Sequence, residues 1–142
     1  MTSESELFYN LNLDAWPLVH VVLGSAPKDD EEFNMFQDAF LGVLQGVLAD
    51  QVEHSHKDRI SLVMELDGIV EASFAQKLQG VGFIRTIQPL VVPTIRCTAL
   101  VIRSDTVRAI VEFILNLQPL KSLHAVFDNS ADALAWCNAQ DA

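Results

Sequence analysis

Four apolar runs of strand length, each followed by a stretch with helical spacing, constrain this chain more than any other feature. The runs are Pro17 to Leu23 (PLVHVVL), Ile60 to Leu66 (ISLVMEL), Ile95 to Arg103 (IRCTALVIR) and Leu123 to Phe127 (LHAVF). They show little polar alternation, which is the pattern of strands covered on both faces. Val21, Val63, Val101 and Val126 are the expected central layer of the sheet. A weaker alternating stretch, Leu7 to Leu13, suits an edge strand, so residues 1–15 are read as an edge strand or a mobile N-terminus.

The intervening stretches have helical periodicity. Asp29 to Ala49 places Phe33, Phe36, Phe40, Val43, Leu44 and Val47 three and four apart, behind an Asp29-Asp30-Glu31-Glu32 start that suits the positive end of a helix dipole. Glu71 to about Val92 reads as a helix with a break or kink near Gly80, Gly82 and Pro89. Asp105 to Leu117 carries an inward stripe of Val107, Ile110, Val111 and Ile114, with Ser104 or Asp105 as its cap. Ser130 to Ala139 closes the chain with Ala133, Leu134, Trp136 and Cys137 as packing residues. Strands alternating with helices at these spacings predict an α/β fold: a single-domain open, mainly parallel sheet of four to five strands. The pattern leaves the strand order open.

A length of 142 residues gives room for one domain, spanning residues 1–142, with one substantial core. The formal charge of −10 is concentrated before Arg59, where 11 acidic residues face only Lys28 and Lys57. Such a surface repels phosphate backbones and anionic bilayers, so neither nucleic acid nor a membrane surface is expected as partner. No apolar run approaches the ~18 residues of a membrane span. The acidic, polar Met1 to Leu11 stretch is no signal peptide, and two cysteines, Cys97 and Cys137, make no disulfide framework. A cytoplasmic location, with both thiols reduced, buried and inert, is the expectation.

Ligand sites in open α/β sheets lie at the carboxyl ends of the strands. Those positions hold Ser25, Asp67, Ser104, Asp105 and Asp128. The three aspartates could gather on a hard cation, but the same residue types are preferred helix caps, and capping is the reading adopted. His54-Ser55-His56, flanked by Asp50, Glu53 and Asp58, matches no strong zinc spacing, because histidines two apart diverge on a helix. It reads as a solvated loop. His20 and His124 have no nucleophile beside them in sequence, and the glycines form neither a dinucleotide-binding nor a P-loop pattern. Neither a catalytic residue nor a cofactor or metal site is expected.

Two segments carry a family resemblance. Leu62-Val63-Met64-Glu65-Leu66-Asp67-Gly68-Ile69 resembles the second core strand that leads into the switch helix of the STAS-like fold, the domain of anti-sigma-factor antagonists and sulfate-transporter tails. Phe127-Asp128-Asn129-Ser130-Ala131-Asp132-Ala133-Leu134-Ala135-Trp136 resembles its closing strand and helix. The pattern covers nearly the whole chain from Pro17. The resemblance implies a non-enzymatic regulatory or scaffold module and a phosphorylatable serine at the start of the helix after the second core strand. Ser73, in Glu71-Ala72-Ser73-Phe74, is the hydroxyl available there, without the family's Asp-Ser-Ser-Gly setting.

The expected function is therefore protein docking, self-association as a homodimer included. Phe74, Phe83, Phe113 and Leu117 are the candidate interface, since they exceed what one sheet face absorbs. The alternative is a small apolar-ligand or lipid carrier with its pocket between the second helix and the sheet. A third reading is an enzyme with a dispersed acidic site of Asp67, Asp105 and Asp128.

Overall fold

In the computed structural model, which describes residues 8–140, the chain builds a five-stranded sheet in the order β1-β2-β3-β4-β5. β1 (Tyr9–Asn12) is antiparallel to β2 (Leu18–Leu23), whereas β3 (Ile60–Glu65), β4 (Ile95–Val101) and β5 (His124–Phe127) continue parallel to β2. The expected edge strand is thus present from Tyr9 onward, and residues 1–7 lie outside the described part. The helices are α1 (Asp30–Glu53), α2 (Phe74–Thr94), α3 (Asp105–Leu117) and α4 (Ser130–Ala139).

Each crossover from β2 to β5 leads to the next strand in line. Connections of one handedness then put α1, α2 and α3 side by side on one face. α1 packs on α2 and α2 on α3, while α4 alone covers the other face across β3, β4 and β5. The strand alternation divides the core accordingly. Val19, Val21, Ile60 and Leu62 join Phe36, Phe40, Leu44, Ile87 and Val91 under the three helices. Val63, Cys97, Ala99 and Val101 face Ala133 and Cys137 of α4.

Local signals set the helix starts. Asp29 caps α1 by accepting the Glu32 amide at 2.8 Å, and the Glu32 carboxylate accepts the Lys28 amide at 2.7 Å. Part of the four-acid run therefore satisfies the amides at the start of the helix. At α2 the exchange is reciprocal: Ser73 accepts the Gln76 amide at 3.1 Å and Gln76 accepts the Ser73 amide at 2.8 Å.

Two expectations are corrected. The second helix does not break at Gly80, Gly82 or Pro89: a short 3-10 turn, Asp67–Glu71, precedes it, and α2 then runs unbroken through Pro89 and Pro93. Gly80 serves as a close-approach point, because a Cβ there would lie 2.8 Å from the Ile114 Cδ1 atom of α3. Pro89 lies on the exposed side of the helix, where the carbonyl that its missing amide leaves free can meet water. Val126 is not in the central layer either. It is 43% exposed, because β5 is an edge strand. Val21, Val63 and Val101 are fully buried as expected.

Candidate functional site

The face under α1, α2 and α3 is not closed up. A cavity of about 160 Å³ lies between α2 and the sheet. Its walls are Phe36 and Phe40 of α1, Ile87 and Val91 of α2, and Leu62 and Leu100 of the sheet, with α3 contributing further aliphatic side chains. The lining is almost entirely carbon. α2 borders it from Gln76 to Val91, which is roughly 22 Å at 1.5 Å per residue. At the carboxyl end of β2 and β3 it is lined by Ala26, Pro27, Ala72, Gln76 and Lys77. That is the end at which open α/β sheets bind ligands.

The sequence explains this shape. Gly80 brings α2 against Ile114, fixing the helix at one point, while Phe83 turns inward onto Phe33, Phe36 and Phe40 at ring separations of 6.4, 5.3 and 5.4 Å. These stiff rings brace α1 against α2 and hold the helices off the sheet between them. Phe83 is thus a half-buried wall of the cavity and does not stand on the outer face with Phe74. Gln76, also in the lining, is held by its side-chain amide, which donates to the Pro27 carbonyl at 2.6 Å.

The strand-end residues do not form a common site. The Asp67 carboxylate accepts the Arg103 and Ser104 amides at 2.8 and 2.9 Å, lies 3.5 Å from the Arg103 guanidinium, and so ties the turn after β3 to the start of α3. Ser104 caps α3 by accepting the Val107 amide at 3.2 Å, and Asp105 is the first residue of that helix. Asp128 accepts the Asn129 side-chain amide at 2.9 Å, and Ser25 donates to the Ala26 carbonyl at 3.1 Å. Ser73, the candidate switch, is the exposed cap of α2.

On the α4 face, the Glu65 carboxylate lies 2.6 Å from His20 Nε2 and accepts the Ser130 hydroxyl at 3.3 Å. The carboxylate stands between the two, so the imidazole does not meet the hydroxyl as a nucleophile's base would. The trio ties β2, β3 and α4 together. Cys97 and Cys137 are buried in the core between α4 and the sheet, and burial, with the hydrogen bond to Cys97, pushes the Cys137 thiol up to about 12.

An apolar patch lies outside the cavity. Phe74 and Leu117 are 64% and 54% exposed, and Phe74 packs its ring 5.9 Å from half-buried Phe113, over which Lys77 Nζ stands at 5.7 Å. Val70 and Leu78 are also exposed on this side of the α2 start.

Beyond the other end of α1 the chain is the exposed loop expected, but its two histidines do not diverge. His54 Nδ1 lies 2.9 Å from one Asp50 oxygen and His56 Nε2 2.8 Å from the other, with the two rings stacked at 6.2 Å and 12°. The sequence argument assumed a continuing helix, but α1 ends at Glu53 and Ser55 takes a left-handed φ of 55°. The His56 amide then donates back to the Gln51 carbonyl at 3.1 Å, folding the second histidine over the helix end. The His56 hydrogen bond holds the Asp50 carboxyl below its ordinary value, and the positive fields of the two imidazoles act in the same direction. The signal that could have revealed this was an aspartate four residues before the first histidine, followed by a helix stop.

No protein-family model, curated protein or solved structure matches the chain. No described helix is long and apolar enough to cross a membrane.

Proposed function

We propose that the protein binds an apolar small molecule, foremost a flexible hydrocarbon chain, in the cavity beneath α2. The observation that carries this is a carbon-lined space of about 160 Å³ between α2 and the sheet. Protein interiors leave few spaces larger than a water molecule, and a concave carbon-lined site is the usual setting for an apolar ligand. A guest that covers these carbon walls gains the favourable free energy of removing apolar surface from water. α2 borders it over about four turns, which favours a chain over a compact ring, and Lys77, among its lining residues, would suit a carboxylate head group if its ammonium left the Phe113 ring.

The test is titration of the purified protein with a dansyl-labelled fatty acid, paired with native mass spectrometry for a retained apolar molecule. The reading expects saturable fluorescence enhancement that unlabelled fatty acid competes away. Absence of both saturation and a retained mass would overturn it.

A second reading, docking between proteins, is favoured by the patch of Phe74, Leu78 and Leu117 beside Phe113. Contiguous exposed apolar side chains mark interfaces. A homodimer across this patch, in a non-enzymatic regulatory or scaffold role, also agrees with the STAS-like resemblance. Light scattering tests it through the mass of the protein at about 100 μM, a concentration at which a Kd near 1 μM would leave mostly dimer.

A further inference from the structure

The geometry points to a divalent transition-metal site, Zn²⁺ foremost, formed by Asp50, His54 and His56 at the C-terminal end of α1. One donor atom from each residue lies within 4.8 Å of the others. Zn²⁺ takes imidazole nitrogen and carboxylate oxygen at about 2.0 to 2.2 Å in a tetrahedral set, which places its donors roughly 3.3 Å apart. The Asp50 oxygens already lie 2.8 and 2.9 Å from the two ring nitrogens. Movements of about an ångström in side chains at the surface therefore admit the ion, as it replaces the protons now shared between the carboxylate and the imidazoles.

The backbone prepares the arrangement without the metal. His54 is the last cap residue of α1, its amide donating to the Asp50 carbonyl at 3.0 Å, so carboxylate and first imidazole rise from one helical turn. The left-handed Ser55 reverses the chain and the His56-to-Gln51 bond fixes the second imidazole. His56 has an outer partner as well: its Nδ1 accepts the Asp58 amide at 3.1 Å and lies 3.9 Å from the Asp58 carboxylate. When Nε2 binds a metal the imidazole proton must move to Nδ1, which breaks the bond from the Asp58 amide, and the nearby Asp58 carboxylate can then turn in to accept that proton.

The local field favours a cation. The last turn of α1 carries no basic residue, its carbonyl end is the negative pole of the helix, and Glu53 adds a further acid. Three protein donors leave a fourth tetrahedral position for water. None of the three residues lines the cavity beneath α2.

Isothermal titration of the full chain with ZnCl₂ in a non-coordinating buffer is the test. One Zn²⁺ per chain with a low-micromolar Kd is expected, with a tenfold or greater loss in His54→Ala and in His56→Ala, and none in a His20→Ala control. Unchanged binding in a folded His54→Ala/His56→Ala double variant overturns the assignment, as does absence of binding at 100 μM Zn²⁺. If the variants do not fold, Co²⁺ absorption of the unaltered protein decides. Visible bands without a near-ultraviolet thiolate band support nitrogen and oxygen ligation, whereas a thiolate band puts the ion at cysteine and overturns the proposal.

Discussion

Adding one carbon to Val91 separates a hollow core from a filled one. Val91 is 1% exposed, and its side chain forms part of the cavity wall. In a close-packed interior, an extra methylene forces its neighbours apart and costs about 1 to 3 kcal/mol. Here the added carbon of Val91→Ile enters empty space and gains about 0.8 kcal/mol. Val63→Ile supplies the comparison, since Val63 is equally buried but lies on the α4 face, away from the cavity. For 142 residues a change of 1 kcal/mol shifts the melting temperature by roughly 4 °C. Calorimetry should therefore show Val91→Ile about 3 °C above the parent and Val63→Ile roughly 4 to 12 °C below it. The first variant should also bind the dansyl fatty acid less well, because it shortens the free length. If both variants lose stability equally, the space under α2 is filled in solution and the reasoning fails.

Gly68→Ala should prevent folding or cost more than the usual 1 to 3 kcal/mol, because the new Cβ would stand 2.1 Å from the Leu23 carbonyl oxygen and 2.3 Å from the Gly24 backbone, neither of which can move aside. Gly42→Ala, with nothing within 4 Å, should gain up to about 1 kcal/mol in α1, and denaturant melts compare the two. The raised thiol of Cys137 implies a loss of stability at alkaline pH: the unfolded chain gives up this proton above about 9.0 and the folded one only near about 12, so stability is full below pH 9 and falls across that window. Cys137→Ala should flatten that fall, and a melt series in which it stays as steep contradicts the assignment. Phe113→Glu should leave a folded protein that no longer self-associates, and an unchanged mass by light scattering counts against the patch as the interface.

The alternation of strands and helices was legible because each β-run is valine-rich and bounded, and because Phe36, Phe40, Leu44 and Val47 repeat at helical spacing. Strand order was not, since any order of parallel strands has the same apolar pattern. Val126 shows the consequence: its run looks like a central strand, yet β5 is the edge. The glycines and prolines of α2 misled for a different reason. A glycine in a helix can signal a break or a close neighbour, and only the position of Ile114 shows that Gly80 is the second. The notion of a pocket under the second helix came from that supposed kink, whereas the cavity lies under an unbroken helix braced by Phe83. The cap at Ser104 was legible from residue type, whereas Asp29 and Ser73 proved to be caps because α1 and α2 start one residue later than Asp29 and three later than Glu71. The grouping of Asp50, His54 and His56 depends on a left-handed serine, a conformation that sequence seldom reveals outside glycine and asparagine.

Xenon pressurisation of a crystal of the protein tests the central claim most directly, because xenon enters dry apolar cavities without needing a particular ligand. The account predicts xenon density between α2 and the sheet, in contact with Phe40, Ile87, Val91 and Leu100, and a reduced peak in Val91→Ile. A crystal in which these side chains close on one another and no xenon enters would contradict it.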